Sequence, residues 1–334
     1  MTKCCMECFS DRVIRQKIAR KSKIEGGCER CATPRAALLP CSDLTSEFSL
    51  LLSLYEPAED GEALSVLIER DWEVFSNQVA DKAGLLEELL PGTAQHKYGS
   101  VQLPPDGVEG RWTQLKEELK KENRFFPRSA PDRDELSQLL GLLVISQDVV
   151  PRSLFRARIQ RDDGPFDIEG LKAPPLGRAQ GGRANPPGLS YLYVASDART
   201  AVLEVRPTVA DAVATCRFEP TKPFKLIDLT HPRKLISPFG GDFFALGSVR
   251  LSTGLLEILS EDLTRPTPPH RAATDYIATQ YLCELIKVLG YDGVRYRSSL
   301  NPGGMNFAFF DVETLRPVDT FEVVTVSSVA LEYN

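Results

Sequence analysis

The chain has 334 residues, of which 42% are hydrophobic and 26% are charged. This length is long for one domain and suits two. The composition is that of an ordinary globular protein, and it excludes a disordered chain, a collagen-like chain and a disulfide-stapled miniprotein. The net charge of −6 argues against a surface that coats nucleic acid. Because the sequence has no run of 18 apolar residues and no apolar signal core near its start, we expect a cytoplasmic protein without a membrane partner.

Six of the eight cysteines lie in the first 41 residues, and four of them form two Cys-x2-Cys pairs. The paired cysteines are Cys5, Cys8, Cys28 and Cys31. A Cys-x2-Cys turn directs two thiolates at one point, so two such turns complete the tetrahedron that Zn²⁺ prefers. We therefore predict a structural zinc knuckle over residues 1–41, with free thiols as the alternative. Cys4 is an alternative to Cys5 as a ligand, and Cys41 is either a spare ligand or a core residue.

Six cations stand between the two cysteine pairs, at Arg12, Arg15, Lys17, Arg20, Lys21 and Lys23. Val13, Ile14 and Ile18 recur among them at helical spacing, which predicts a short helix with a solvated basic face. The alternative is a surface that contacts an acidic partner or nucleic acid.

Residues 42–148 are predicted to form a helical bundle. Apolar residues recur at helical spacing in four segments, at 44–55, 62–80, 108–122 and 132–146. Asp132 stands before the last segment with Glu135 three residues later, so we expect Asp132 to be its N-cap. We attribute the acidic stretch 55–95 to solvated helix faces.

From residue 150 the pattern changes to strands and helices that do not alternate regularly, which predicts an α+β domain over residues 150–330. Strands are expected at 153–159, 191–196, 214–220, 224–230, 293–296, 305–312 and 321–326. Helices are expected at 245–261 and 271–289, and Gly290 is the expected stop signal of the second. Residues 197–205 are expected to form either a short helix with Asp197 as its N-cap or a bent segment. Residues 162–189 are rich in Gly and Pro and are expected to form a long loop, and such loops are often functional.

Common catalytic motifs are absent from the sequence. It contains no phosphate-binding Gly-x4-Gly-Lys loop, no dinucleotide fingerprint, no Gly-x-Ser-x-Gly elbow and no His-Glu-x2-His helix. The sequence has only three histidines, and this small number argues against a catalytic histidine base or a histidine-rich metal site. The one Arg-x4-His pair, Arg265 and His270, spans three prolines that exclude the helix a ribonuclease would need.

The C-terminal domain contains one ordered set of candidate catalytic and binding residues. The set comprises Arg156 in LFRARI, Arg183 in GGRANPPG, Tyr191 and Tyr193 in YLYVAS, Glu204 in TAVLEV, Ser298 in GVRYRSS and Asn306 in GGMNFAFF. In order, context and spacing, these segments resemble the RES domain, a family named for its Arg, Glu and Ser, over about residues 151–325. The N-terminal extension resembles, less closely, the HEPN-related helical domains of longer RES proteins.

The resemblance implies a compact ADP-ribosyltransferase-like fold. It also implies an enzyme that splits the nicotinamide–ribose bond of NAD, a glycohydrolase with water or a phosphorylase with phosphate as acceptor. Many members are toxins of bacterial toxin–antitoxin pairs, so the implied partners are NAD, phosphate and an antitoxin protein, and a homodimer is expected. The alternatives are a protein ADP-ribosyltransferase on the same fold, or a non-catalytic module that binds a partner or RNA. The sequence departs from the family pattern at Ala184, where many relatives carry Trp.

The chemistry of the residues suits this reaction independently. Nicotinamide leaves NAD as a neutral molecule, so the reaction needs a stabilised oxocarbenium-like ribosyl cation more than a strong acid. Glu204 is the predicted stabilising carboxylate. Guanidinium groups suit the pyrophosphate, and we assign them to Arg156 and Arg183, with Arg158 and Arg206 as substitutes.

The remaining predicted residues would contact or support the substrate. Tyr193 is expected to stack on the pyridinium ring, with Tyr191 as its rival. Ser298, or Ser299 in its place, would form a hydrogen bond to the nicotinamide or the ribose. Asn306 would support the adjoining loop. The predicted catalytic residues are thus Glu204, Arg156 and Ser298, and the other four bind NAD.

Overall fold

The computed structural model describes residues 2–101, 107–160, 167–240, 246–265 and 267–328. The helices are α1 (Arg12–Lys21), α2 (Thr45–Leu52), α3 (Leu64–Trp72), α4 (Lys82–Leu89), α5 (Gly107–Lys121), α6 (Arg133–Leu142), α7 (Ile168–Leu171), α8 (Ala198–Glu204), α9 (Pro232–Leu235), α10 (Leu246–Thr264), α11 (Pro269–Asp275) and α12 (Ile277–Val288). The strands are β1 (Lys3–Cys5), β2 (Ile24–Gly26), β3 (Ala36–Pro40), β4 (Tyr55–Ala63), β5 (Lys97–Ser100), β6 (Val144–Ser146), β7 (Leu154–Ile159), β8 (Leu192–Ala195), β9 (Ala212–Pro220), β10 (Lys225–Asp228), β11 (Gly293–Arg297), β12 (Met305–Phe309) and β13 (Leu315–Thr325). The predicted α+β class is confirmed. None of the helices in the described ranges combines the length and the apolar character that crossing a bilayer requires.

The chain divides into two compact units. The first unit comprises Met1–Thr113, Pro131–Leu142 and His231–Glu257. The second comprises Gln114–Ala130, Leu143–Thr230 and Ile258–Asn334. This division differs from a single boundary near residue 150, because residues 231–257 lie with the first unit.

A buried arginine holds residues 231–257 within the first unit. Arg250 is only 2% exposed, and its Nη1 donates to the carbonyl oxygen of Leu54 at 3.3 Å and to Asp71 at 3.4 Å. The same guanidinium also donates to the carbonyl oxygen of Val101. Asp71 is the carboxylate that pairs with this buried charge, so removing Asp71 would leave the charge uncompensated, and the contacts together fix this segment within the unit.

The first unit contains two small antiparallel sheets, one in the order β1-β3-β2 and one made of β4 and β5. The strand β4 corrects the expectation that the acidic stretch belongs to helix faces only, because Pro57 and Gly61 interrupt any helical register there. The pairing of β4 with β5 shifts between Pro57 and Glu62. Acidic side chains of β4 are mostly exposed, as expected for a solvated surface.

The helices of the first unit begin at the predicted positions more often than they end there. Asp132 is the N-cap of α6, as predicted, because its Oδ1 accepts hydrogen bonds from the backbone N–H groups of Asp134 and Glu135 at 2.9 and 3.0 Å. The helix α6 ends at Leu142, however, and the predicted continuation to residue 146 is strand β6 instead. The segment predicted as a helix over 62–80 forms only α3, which ends where Glu73 adopts a left-handed φ of 47°.

The basic segment between the cysteine pairs forms α1, with Asp11 as its N-cap. Ile14 and Ile18 are fully buried, as the helical spacing predicted. Among the cations, Arg15 pairs with Glu7 at 3.1 Å, and Lys17 pairs with a glutamate of α2.

Within the described residues, the second unit contains an eight-stranded sheet in the order β13-β9-β7-β8-β12-β11-β10-β6. Only the β10–β11 pair is parallel. Leu192, Phe218 and Phe309 belong to the core cluster that the sheet buries. Because successive side chains of a strand point to opposite faces, Tyr193 lies on the face opposite to Leu192.

The sheet register sets which predicted residues can meet. Ala195 of β8 is paired with Phe155 of β7 on one side and with Asn306 of β12 on the other. Helix α8 follows β8 directly and is capped by Asp197, whose carboxylate accepts the N–H of Thr200. The three adjacent strands and this helix therefore position the candidate site.

Two predicted elements of the second unit need qualification. The predicted helix 271–289 is divided into α11 and α12 at Tyr276, and Gly290 with a φ of 90° ends α12 as expected. The long loop predicted over 162–189 lies in part, at 162–166, outside the described residues, as does residue 245 of the predicted helix 245–261. The described part of the loop contains the short helix α7.

Candidate active site

The second unit has a cavity of ≈ 390 Å³, a size typical of small-molecule sites. Five of the seven residues predicted for substrate and catalysis line it, namely Arg156, Arg183, Tyr193, Glu204 and Asn306. The sheet and helix α8 thus bring together residues that are up to 150 positions apart in the sequence.

Glu204 is the carboxylate of the cavity. It is the last residue of α8, and its Oε1 accepts hydrogen bonds from Ser298 Oγ and from Asn306 Nδ2, each at 2.7 Å. Among the described residues, Oε2 has no hydrogen-bond partner. One oxygen is therefore fixed by the protein while the other is available to a ligand.

Ser298 lies behind this carboxylate and does not line the cavity. Its hydroxyl donates to Glu204, and its oxygen accepts the backbone N–H groups of Leu300 and Asn301 at 3.2 Å. Ser299, the alternative from the sequence, is exposed. The geometry of Ser298 is that of a residue which orients Glu204, in contrast to the expected direct contact with substrate.

Arg156 is a cation without a carboxylate partner among the described residues. Its Nη1 donates to the carbonyl oxygen of Tyr193 at 3.0 Å, while its Nε is buried with no hydrogen-bond partner. Burial and the neighbouring charge of Arg158 lower the pKa of Arg156 to about 10. An anion in the cavity would satisfy this group and restore the stability of its charged form.

Arg183 lines the cavity but is held by the protein. Its Nη1 donates to the carbonyl oxygens of Leu263 at 2.8 Å and Thr264 at 3.3 Å, the last residues of α10. Cations are favoured at a helix C-terminus because the final carbonyl groups lack helical partners. Burial disfavours its charge, but Tyr296 and Tyr276 raise the pKa of Arg183 above its ordinary value.

Tyr193 is fixed by the loop that carries Arg183. Its hydroxyl donates to Asn185 Oδ1 at 2.7 Å and accepts the N–H of Ala184 at 3.1 Å. A Cβ atom on Gly182 would lie 2.5 Å from Asn185 Oδ1 and 2.7 Å from the Tyr193 hydroxyl, so only glycine leaves room for this bond. Asn185 itself is 2% exposed and donates to three loop carbonyls.

Tyr191 does not line the cavity. Its hydroxyl donates to Glu284 of α12, its ring packs on Phe310 with centroids 5.0 Å apart, and Lys287 lies over the ring at 5.0 Å. The side chain is 2% exposed. This environment leaves Tyr193 as the predicted stacking residue that borders the cavity.

The sequence analysis missed two tyrosines of the cavity wall and gave one of its arginines only a substitute role. Tyr276, Tyr296 and Arg206 line it as well. Tyr296 stands within the GVRYRSS motif, where the alternation along β11 could have identified it. Tyr276 had no signal because it lies at the break between α11 and α12, and Arg206 was named only as a substitute. Arg158, the other substitute, is exposed and bonds the carbonyl oxygen of Gly170.

The first unit contains a second candidate site, the four paired cysteines Cys5, Cys8, Cys28 and Cys31. Their sulfur atoms lie within 4.8 Å of one another, and all four residues are buried. Three of the sulfur–sulfur distances are 3.4, 3.4 and 3.9 Å. Four sulfurs at the usual Zn–S length of about 2.3 Å would be about 3.8 Å apart, so the cluster could hold zinc.

Cys4 and Cys41 are outside this cluster. Cys4 Sγ contacts the carbonyl oxygen of Leu39 at 3.7 Å, and Cys41 Sγ contacts Glu88 at 3.7 Å. The cluster therefore provides four ligands without them.

Comparison with known proteins bears on the second unit. The family model described as the RES domain matches residues 153–328. No curated protein matches the chain. One solved structure with similarity is titled "Crystal structure of the M.tuberculosis MbcT-MbcA toxin-antitoxin complex"; the two chains are 18% identical with a TM-score of 0.36, over 57% of this chain and 93% of that one. Because the family model covers more than half of the sequence, the chain belongs to the RES domain family.

Proposed function

We propose that the protein cleaves the nicotinamide–ribose bond of NAD and transfers the ADP-ribosyl group to water or phosphate. The observation that carries this proposal is the carboxylate of Glu204, which two donors hold at one oxygen in the wall of the ≈ 390 Å³ cavity. A fixed carboxylate beside a forming ribosyl cation stabilises charge that is absent from the ground state.

The reaction needs few proton transfers. The bond between C1′ of the ribose and the ring nitrogen breaks, its electron pair stays on the nitrogen, and neutral nicotinamide leaves. An oxygen of water or phosphate then forms the new bond to C1′. With water, the products are ADP-ribose, nicotinamide and one proton. Glu204 would stabilise the cation and bind a ribose hydroxyl through its free Oε2.

The other residues would bind and orient. Arg156 would pair with a phosphate of the substrate, since its guanidinium has no carboxylate partner among the described residues. The ring of Tyr193 would stack on the pyridinium ring, where the cation–π contribution is about 0.5–2 kcal/mol. Ser298 and Asn306 would act on the reaction through Glu204, and Arg183 would complete the wall.

The test is to incubate the purified full-length protein with NAD and to follow nicotinamide and the ribosyl product, with and without phosphate. We expect nicotinamide release by the wild type and a loss of at least about 100-fold in Glu204→Gln, which keeps the hydrogen bonds to Oε1 but lacks the charge. Glu169→Gln is the matched control, because Glu169 is an exposed partner of Lys172. Equal release by Glu204→Gln and the wild type would refute the assignment.

The acceptor follows from the product of the same incubation. ADP-ribose indicates hydrolysis, and its 1″-phosphate, formed only when phosphate is present, indicates phosphorolysis. Label from NAD that becomes covalently attached to a protein would instead assign an ADP-ribosyltransferase.

We further propose that the activity makes the protein a toxin that a partner protein restrains. An enzyme that consumes NAD without control depletes a cofactor that the cell requires. Inducing the wild type in a bacterium should lower cellular NAD and stop growth, whereas inducing Glu204→Gln should do neither.

We also propose that the cluster of Cys5, Cys8, Cys28 and Cys31 binds one structural Zn²⁺. The burial of four sulfurs at tetrahedral spacing supports it, and four protein ligands leave no open position for catalysis. Zinc would supply folding free energy to the segment that carries the four cysteines.

A further inference from the structure

The turn over residues 298–304 is hydrogen-bonded to both ends of helix α8. At the C-terminal end, the Ser298 hydroxyl donates to Oε1 of Glu204 at 2.7 Å. In the first turn of the helix, Oγ1 of Thr200 accepts a hydrogen bond from Nδ2 of Asn301, also at 2.7 Å. One turn therefore contacts both the candidate catalytic carboxylate and the start of the helix that carries it.

The direction of the bond between Asn301 and Thr200 is fixed by Asp197. The Thr200 hydroxyl lies 2.6 Å from Oδ2 of Asp197, and an ionised carboxylate can only accept hydrogen bonds. Burial opposes the ionisation of Asp197, but hydrogen bonds from Thr200 and Ser196 lower its pKa, so it is ionised at neutral pH. Thr200 therefore donates its one hydrogen to Asp197, and its oxygen is left to accept the amide of Asn301.

Asn301 also donates toward the other end of the helix, through its backbone. Its N–H and that of Leu300 both donate to Oγ of Ser298, each at 3.2 Å. Because this oxygen already accepts two hydrogens, the hydroxyl has its own hydrogen to donate to Glu204. On each side, a hydroxyl group thus accepts a hydrogen bond from Asn301 and donates one to a carboxylate. In such a chain each bond polarises and strengthens the next.

Gly304 allows the turn to approach the helix this closely. A Cβ atom at Gly304 would lie 2.4 Å from Oγ1 of Thr200 and 3.0 Å from Nδ2 of Asn301. Two backbone hydrogen bonds close the turn, from the N–H of Ser298 to the carbonyl oxygen of Gly304 and from the N–H of Gly304 to that of Asn301, each at 2.9 Å. The bond between Asn301 and Thr200 is therefore part of the packing of the turn on α8.

We propose that Thr200 and Asn301 are positioning residues for Glu204. They hold the 298–304 turn on α8, and the turn then directs the Ser298 hydroxyl at Oε1. Neither Thr200 nor Asn301 lines the cavity, and Thr200 is fully buried, so both act through Ser298. A functional group keeps its productive position only when hydrogen-bonded supporting residues restrict it. The kinetic consequence rests on the proposed function, whereas the position of the carboxylate does not.

The first test is the rate of nicotinamide release by Thr200→Val, which keeps the shape of the side chain and removes its hydroxyl. We expect kcat to fall by about 3- to 10-fold while KM changes by less than about twofold, because the carboxylate is displaced without loss of a ligand contact. Thr200→Ser, which keeps the hydroxyl, should retain at least about half of the wild-type kcat. Equal kcat in Thr200→Val and the wild type would overturn the proposal.

Thr314→Val is the matched control. Thr314 is another fully buried threonine of the second unit, and its hydroxyl has no hydrogen-bond partner among the described residues. This variant should keep the kcat and the KM of the wild type.

Asn301→Ala tests the same bond from the half-buried side of the turn. It removes the amide and keeps the backbone N–H that donates to Ser298. We expect the same fall in kcat as in Thr200→Val, because the turn loses the same bond to α8. An unchanged kcat in Asn301→Ala would contradict the proposal.

Double variants separate a positioning role from a general structural one. In the Ser298→Ala background, Thr200→Val should lower kcat further by less than about twofold, because Thr200 acts through the Ser298 hydroxyl. In the Asn306→Ala background, which removes the other donor to Oε1, Thr200→Val should cost at least its full factor. The full factor in both backgrounds would assign Thr200 a general structural role instead.

Crystal structures of the wild type and of Thr200→Val, both without ligand, give a readout that does not depend on activity. We expect the distance from Ser298 Oγ to Glu204 Oε1 to exceed about 3.5 Å in Thr200→Val while α8 stays in place. A distance that stays at 2.7 Å would overturn the proposal.

Failure of this proposal is distinguishable from failure of the proposed function. If the carboxylate of Glu204 moves in Thr200→Val but the wild type does not cleave NAD, the positioning role stands and the reaction does not. If the wild type and Thr200→Val cleave NAD equally, the reaction stands and the positioning role does not.

Discussion

The hydroxyl of Ser298 donates to Oε1 of Glu204 at 2.7 Å, and its oxygen accepts two backbone N–H groups of the turn that follows. One side chain therefore fixes the carboxylate and the turn that connects β11 to β12. In this arrangement Ser298 affects the reaction by holding Glu204 in one position.

Ser298→Ala should lower kcat for nicotinamide release by about 10-fold while KM changes by less than about twofold. The loss is limited because Asn306 still donates to the same oxygen. Ser299→Ala, at the exposed neighbouring position, is the control and should be unchanged. A rise in KM with kcat preserved would mean that Ser298 contacts the substrate directly.

Gly182→Ala should destabilise the protein by about 1–3 kcal/mol, because the new Cβ would lie 2.5 Å from Asn185 Oδ1 and displace the Tyr193 hydroxyl from its bond. Urea unfolding measures the change. Gly141→Ala is the contrasting control, since nothing lies within 4 Å of a Cβ added in α6. It should stabilise by about 0.5–1 kcal/mol. A Gly182→Ala variant as stable as the wild type would show that the loop can move aside.

Asp197 should make stability sensitive to acid. Burial opposes its ionisation, but hydrogen bonds from Thr200 and Ser196 lower the pKa of Asp197. Because the pKa in the folded state is below that in the unfolded state, this stabilisation is present above about pH 4 and is lost as the pH falls below it.

Asp197→Ala should cost about 1 kcal/mol of unfolding free energy at pH 7, and the cost should shrink at pH 3. Asp197→Asn, which keeps an N-cap oxygen without the charge, should cost less at pH 7. Urea unfolding at both pH values is the measurement. An equal cost of Asp197→Ala at both would show that the charge of the cap contributes nothing.

Metal analysis should give about one zinc per chain for the wild type and close to none for Cys8→Ser. Chelation should likewise lower the melting temperature of the first unit. Cys4→Ser and Cys41→Ser are controls of equal size and should keep the zinc, because both sulfurs lie outside the four-cysteine cluster. Loss of zinc from either control would mean that the ligand set differs from this cluster.

Much of the fold could be predicted because its signals are local. A capping carboxylate at Asp132 or Asp197 and a glycine at Gly290 each mark a helix end within a few residues. The strands β7, β8 and β12 were predicted for the same reason. The strand β4 was missed because its pairing with β5 depends on residues about 40 positions away.

The candidate site was predictable only where residues share a motif. Order and context identified Arg156, Glu204 and Asn306, and the neighbouring strands and α8 bring them to one cavity. Tyr276 lies in the cavity wall because the chain breaks between α11 and α12 at this residue. Arg206 lies at a turn where its φ is positive. Neither feature can be read from residue type or spacing. The membership of residues 231–257 in the first unit depends on the long-range contacts of Arg250.

Arg183 links the cavity wall to the C-terminal end of α10, so the position of each depends on the other. The guanidinium group that borders the cavity also donates hydrogen bonds to the last carbonyl groups of that helix, at Leu263 and Thr264. Inserting or deleting one residue in the last turn of α10 would therefore displace the wall without touching any cavity residue. Natural variation in the length of this helix should accordingly be coupled to the residue at position 183.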